Sequence, residues 1–333
     1  MKRRCRNGRE LRCSSGSAEK YYRITPLKIV PQPGGWSALA FRLETFDGMY
    51  FLKAYSKEKS STARLTAPAQ FYLPVAKWLH DHTSLQGRIV NPVVTVDGKY
   101  ICEDDAYYYM LFDYIEGVTV GDNRLSADQM ADLGEVVGRL HSATPNVPLP
   151  AGGLSEDYTL PFCGLDAYLE LELSDAPEDI RVVIEPNIDS ILKMSGRVKQ
   201  LTDSTKAEAH RFVLCHTDIH GWNLMVSDRL ILVDWENLKL APPEHDLYML
   251  LPRPYVQDFM GAYRRYMPEY CVSERLLEFY TIRRELEDIW EWIKQLRYDH
   301  PDEATRGSAL HWLRVNVDSI VKMASMRRRY GSI

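Results

Sequence analysis

Apolar positions fall into two regimes along the chain. Between residues 24 and 114 they come in short, partly alternating runs, the pattern of strands. ITPLKIV leads into PQPGGW, and SALAFRLET and MYFLKAY flank the turn pair Asp47-Gly48, which predicts a β-hairpin. A second pair, Asp97-Gly98, lies between NPVVTV and KYICED and predicts another hairpin, with AYYYMLFDYI as a further strand. Residues 60–82 between the two hairpins read as helix, shortened or kinked by Pro68 and Pro74. The expectation is a mostly antiparallel sheet carrying one helix.

After IEGVTVGDN the period becomes helical. Ser126 is placed to cap a helix in which Met130, Leu133, Val137 and Leu140 share one face, ending near His141. Residues 167–172, 188–206, 255–266, 273–297 and 309–329 also favour helix, and the stretch around CHTDIHGWN interrupts them. There is no internal repeat and no low-complexity tract. Domain-size priors of roughly 100–200 residues divide a chain of this length into two lobes. The expected organisation is a loose basic tail over residues 1–20, a small β-rich lobe over 21–115, and a larger, mostly helical lobe over 116–333 that encloses a strand pair. The fold class is α+β.

Composition narrows the function. Of the 333 residues, 45% are hydrophobic and 26% charged, as in ordinary globular proteins. The net charge of −5 argues against a nucleic-acid binder, which needs a basic face, and suits a small cationic ligand. The six cysteines are scattered without a C-x-x-C, which points to a reducing, cytoplasmic setting. No window reaches the roughly 18 apolar residues of a membrane span, and residues 1–20 lack the apolar core of a secretory signal. No membrane, nucleic-acid or protein partner is implied.

The chemistry concentrates in CHTDIHGWN, residues 215–223. Apolar runs on either side of Ser227-Asp228-Arg229 predict a hairpin in which Asn223 faces Val233 and lies beside Asp234. Asp218 sits in the loop leading to that end. Three oxygen-bearing side chains meeting there suit Mg²⁺, which takes hard oxygen donors. A zinc site from His216, Asp218 and His220 is the competing reading, and simple capping of backbone ends is the plain one. Upstream, Lys53 is the one charged residue within the apolar strand of MYFLKAY, eighteen residues after Gly35 of a Gly34-Gly35 pair.

H-x-D-x-x-x-x-N followed by Asp at the end of the next strand resembles the catalytic arrangement of kinases. Protein kinases usually carry Lys and Phe-Gly where this chain has His220 and Trp235, so the chain is more similar to the aminoglycoside phosphotransferase family. CHTDIHGWNLMV, LVDWEN, LAPPEHDL and RRELEDI look like its spectinomycin phosphotransferase branch. The resemblance implies a protein-kinase-like, two-lobed fold and transfer of phosphate from MgATP to a hydroxyl of a small cationic aminocyclitol antibiotic. It makes Asp218 the base, and Asn223 and Asp234 the Mg²⁺ ligands. Lys53, Gly34, Gly35 and the backbone at Asp113 and Ile115 would hold ATP. His216, His220 and Asp246 would support the loop, and Glu285 and Asp288 would receive the substrate's ammonium groups. The family's helix glutamate is missing, and Gln70 or Glu58 is expected to partner Lys53 instead. A metabolic small-molecule kinase acting on choline, homoserine or a thiosugar, a silent pseudokinase, and a histidine-ligated metallohydrolase are the rival readings.

Overall fold

The computed structural model describes residues 16–32, 38–59, 61–148, 153–299 and 302–330. The described residues open with a short helix α1 (residues 16–22) and run through strands β1 (Lys28–Gln32), β2 (Leu39–Glu44) and β3 (Met49–Ser56). Helices α2 (Thr62–Thr66) and α3 (Ala69–His82) follow, then β4 (Pro92–Val93), β5 (Cys102–Glu103), β6 (Tyr107–Asp113), β7 (Val118–Thr119) and α4 (Ala127–Ala143). Next come α5 (Leu165–Leu171), α6 (Glu178–Ile184), α7 (Ile188–Lys206), β8 (Val213–Cys215), β9 (Leu224–Val226), β10 (Leu230–Leu232) and β11 (Lys239–Ala241). Helices α8 (Glu244–Leu250), α9 (Val256–Tyr263), α10 (Glu274–Tyr298) and α11 (Glu303–Tyr330) complete it. No described helix is long and apolar enough to cross a membrane.

Contacts gather the chain into two units. One holds the described residues up to Ser155 together with Phe212–Tyr270. Its main sheet has the order β1-β2-β3-β6-β4, antiparallel throughout. The alternation read from the sequence is what buries one face: Phe41, Leu43, Leu52, Ala54, Tyr109 and Leu111 pack together. Ala18 and Tyr22 of α1 join that cluster, so residues 16–20 are helix on the sheet rather than loose tail, and residues 1–15 lie outside the described residues.

The Asp47-Gly48 hairpin forms as expected between β2 and β3. Asp97-Gly98 makes a turn, closed by Thr95 and Lys99, but not a hairpin. β4 and β5 both pair with β6, at Phe112 and Leu111 and at Tyr109 and Tyr108, so the turn interrupts a single edge strand. The predicted helix over 60–82 is two helices, because Pro68 cannot supply the N–H that continuity needs; Pro74 is accommodated inside α3. Ser126 caps α4 with a full capping box through Gln129. Gly134 of α4 lies so close to α9 that a Cβ would come within 2.2 Å of the Phe259 carbonyl oxygen.

The junction expected between the two lobes at residues 115 and 116 leads into a segment stitched to strands from much later in the chain. β7 pairs antiparallel with β9, and Ile89 bridges Leu232. The first unit therefore runs on past residue 115. Buried Arg88 and half-buried Asp132 pair and clamp the start of β10, Asp132 accepting from the Leu230 N–H and Arg88 donating to its carbonyl.

The described residues of the second unit, Glu156–Arg211 with Cys271–Ile333, are mostly helical. α7, α10 and α11 pack on one another through Val198, Leu201, Phe279, Leu286, Ile293, Leu313 and Ile320, all buried. Arg283 and Glu156 form a buried ion pair at 2.9 Å that ties the unit's first residues to α10. α6 and α8 carried no helical expectation; each is seven residues, too short for periodicity to stand out.

Candidate active site

β8 delivers the chain to a turn that is strained and then clamped. Thr217 adopts φ +70°, an uncommon region for a β-branched residue. It is held there by Asp246, which accepts the Thr217 N–H at 2.5 Å and the His216 N–H at 3.0 Å, while Thr217 donates its hydroxyl to the Asn237 carbonyl. Asp246 also meets His141 Nε2 at 2.9 Å, and His141 Nδ1 meets the Tyr263 hydroxyl at 2.9 Å. Asp246 and His141 are fully buried, so each oxygen of the carboxylate needs these donors. His216 donates Nε2–H to the Val233 carbonyl at 2.9 Å, and its Nδ1 lies 3.4 Å from the Asp218 N–H. Burial pulls its pKa below the usual value, so the ring braces the loop as a neutral imidazole.

The next turn brings the polar side chains together. Asn223 Nδ2 donates to the Asp218 backbone carbonyl at 2.9 Å and to its Oδ2 at 3.1 Å. With the nitrogen of the amide turned to Asp218, its oxygen is the atom offered to a cation. His220 Nε2 lies 3.4 Å from Asp218 Oδ1. The hairpin has the predicted register, Leu230 opposite Val226, and Val233 donates to the Asn223 carbonyl at 3.0 Å. Asp234 comes next with φ +65°, which breaks the strand direction at the residue that must face the loop.

Lys53 of β3 completes the group. Its ammonium pairs with Asp234 Oδ1 at 2.8 Å and Glu236 Oε1 at 2.7 Å. Neither expected partner is used: Gln70 and Glu58 are exposed, on the outer side of α3 and in the turn after β3. Glu236, two residues beyond Asp234, stands against Lys53 where a helix carboxylate was expected. The Tyr55 hydroxyl also donates to Glu236. Burial, and then the Asp234 charge, push Glu236 up to about 7 against the pull of Lys53. Burial alone would lower Lys53, but the two carboxylates outweigh it and raise it. Burial opposes the ionised form of Asp234 as well, and Lys53 more than offsets that, leaving its pKa low. Two carboxylates share one lysine, with Asp218 nearby, so the group is short of positive charge. An oxygen donor set with a surplus of anions fits Mg²⁺.

A profile of the phosphotransferase enzyme family (APH) matches residues 28–274, which contain all of these side chains. The chain belongs to that family. It is 22% identical over 229 residues to Protein StrN of Streptomyces griseus, covering 66% of this chain and 68% of that one. It is 23% identical to stress response kinase A of Salmonella choleraesuis, covering 61% of this chain and only 56% of that relative. Among solved structures, a spectinomycin phosphotransferase, APH(9)-Ia, in complex with ADP and spectinomycin superposes with a TM-score of 0.72 at 20% identity, over 94% of this chain and 98% of the other. A microcompartment-associated aminopropanol kinase superposes at 0.66 and 12% identity, over 94% and 98%. These neighbours share the kinase-like α+β fold, and this phosphotransferase is an enzyme of the kinase type.

Other expected residues fall in different places. Gly34 and Gly35 lie outside the described residues. Asp113 ends β6, its N–H given to Asn91 and its carboxylate bonded to the Asn91 amide, while Tyr114 is tied to Met49; among the described residues no hydrogen bond engages the Ile115 N–H. Glu285 and Asp288 belong to the helical unit and are not a free pair. Glu285, whose pKa is raised by burial, accepts from Asn316 and Ser319 of α11 at 2.8 Å each, and Asp288 is paired with Arg284. Among the described residues His141, Cys215 and Asp246 are the one group of three His, Cys or acidic side chains with ligand atoms close together, but they are buried, and His141 and Asp246 already bond to one another and to the loop.

Two residues escaped the sequence reading. Glu236 had a usable signal: it is a second acid two positions after Asp234, buried beside a strand lysine. Trp222 is 58% exposed on the catalytic loop, its Nε1–H given to Asp122 at 3.1 Å. Beside it Gly121 donates to the Gly221 carbonyl, and a Cβ on Gly221 would stand 2.0 Å from the Gly121 oxygen. Only glycine fits there.

Proposed function

We propose that this phosphotransferase moves the γ-phosphoryl group of MgATP to a hydroxyl of a small cationic aminocyclitol or aminoglycoside, with spectinomycin as the first candidate. The observation that carries the chemistry is the convergence of Asp218, Asn223 and Asp234 at one hairpin end with Lys53 against Asp234. Asp218 orients the acceptor hydroxyl and takes its proton as the new oxygen–phosphorus bond forms and the bond to the β–γ bridging oxygen breaks, releasing ADP. Asn223 and Asp234 would hold Mg²⁺, which when bound neutralises phosphate charge. Lys53, fixed by Asp234 and Glu236, orients the nucleotide's phosphates. His216 and Asp246 keep the loop in its strained turn, so that little reorganisation is left for the reacting state.

Spectinomycin is favoured by likeness to a spectinomycin phosphotransferase over nearly the full length of both chains. The comparable likeness to an aminopropanol kinase supports a second reading, a metabolic amino alcohol as acceptor. Glu285 and Asp288 would receive an ammonium group only after giving up their present partners. ADP release from MgATP, followed across spectinomycin, other aminocyclitols and small amino alcohols, separates the two. Asp218→Ala is expected to lower kcat by about 10²- to 10⁴-fold with nucleotide affinity within a few-fold. A variant retaining most of its rate would remove Asp218 from the role of base.

A further inference from the structure

Arg253 lies between two prolines in the turn that follows α8. Its Nε–H donates to the Met249 carbonyl at 3.0 Å, and its Nη2 donates at 3.3 Å to the carbonyl of Ile219, the residue after Asp218. Both acceptors are neutral. Every other described arginine that is buried or half-buried has a carboxylate: Arg88 has Asp132, Arg283 has Glu156 and Arg306 has Asp179, and Arg42, Arg139, Arg181, Arg197, Arg284 and Arg297 are likewise paired. Among the described residues Arg253 makes no ion pair. Burial draws its pKa down, and no acid is near enough to draw it back.

The turn is rigid. Pro254 restricts the backbone of Arg253, Pro252 fixes the residue before it, and Tyr255 takes a left-handed conformation at φ +59°. A guanidinium has five N–H donors, and backbone carbonyls take two of them. The remainder is a preset, half-desolvated cation without a counter-ion, one hydrogen bond from the catalytic loop. That is a planar fork suited to a carboxylate or phosphate.

We propose that Arg253 recognises an oxyanion at the catalytic loop, either the phosphoryl group in transfer or an acidic substituent on the acceptor. The proposal rests on the phosphotransfer reading. Its test uses the whole chain with saturating MgADP, so that the nucleotide's phosphate positions are filled, and thermal unfolding is followed as sodium phosphate replaces chloride at equal ionic strength. Phosphate is expected to raise the Tm of the parent. In Arg253→Gln phosphate affinity falls by about tenfold to a hundredfold, and Arg253→Lys, which keeps the charge without the fork, is intermediate. Absence of a phosphate effect in the parent, or an equal effect in parent and Arg253→Gln, overturns the proposal. If Arg253→Gln does not fold, parent and Arg253→Lys make the same comparison.

Kinetics identify the source of the oxyanion. Slowed MgATP hydrolysis without acceptor in Arg253→Gln assigns the phosphoryl group. Unchanged hydrolysis with a KM raised only for acceptors bearing an acid group assigns the acceptor. MgADP binding to the parent is measured separately: its failure would count against phosphotransfer itself and leave the phosphate comparison readable.

Discussion

Two acidic pairs invite comparison. Asp234 and Glu236 are two apart beyond a strand, and Glu285 and Asp288 are three apart on α10, so each pair has a spacing that turns both side chains to one side. The first pair meets a single lysine, and burial, with the Asp234 charge beside it, leaves Glu236 with a pKa raised to about 7. The second meets a full set of partners: Asn316 and Ser319 for Glu285, Arg284 for Asp288. Spacing decides that two acids share a face. The neighbouring elements decide whether those acids have capacity left for a ligand.

Substitutions should separate the two pairs sharply. Asp234→Asn is expected to lower kcat by about 10²- to 10³-fold and to raise the Mg²⁺ concentration needed for half-maximal rate. An unchanged Mg²⁺ requirement would take Asp234 out of the metal set. Glu236→Gln, which leaves Lys53 with one carboxylate, should lower kcat by about 10- to 100-fold while the acceptor KM holds steady; a loss confined to that KM would break the link through Lys53. Glu285→Ala should leave turnover intact and cost about 1–3 kcal/mol in urea unfolding, because Asn316 and Ser319 lose a buried acceptor. A large rise in acceptor KM at full stability would instead restore Glu285 to substrate binding. Asp288→Asn should cost about 0.3–0.5 kcal/mol, the worth of one i,i+4 pair on a helix surface, with kinetics unaltered.

Local signals were the legible ones. The Asp47-Gly48 hairpin, the Ser126 cap and the register that sets Asn223 opposite Val233 follow from turn chemistry and alternation within a few residues, and they form as read. Long-range partners were not legible in this way. The counter-ion of Lys53 was sought on the next helix, yet it comes from 183 residues away in sequence, because Glu236 needs only to lie near Asp234, which Lys53 already faces. Asp97-Gly98 misled for a related reason: a turn pair announces a reversal of the chain but not which strand each flank will join, and here both flanks join β6. The packing of α1 on the sheet was hidden because the basic residues before it outweigh its two apolar contacts, Ala18 and Tyr22.

Gly221 and Trp222 give neighbouring positions of the catalytic loop opposite freedom to vary. Any side chain at 221 would collide with the Gly121 backbone, whereas the indole at 222 is largely in solvent and held by one hydrogen bond. In a library randomised over both codons and sorted for activity, position 221 should return to glycine while 222 diversifies. Position 222 can then change one residue from Asn223 while the backbone that places Asn223 stays as it is.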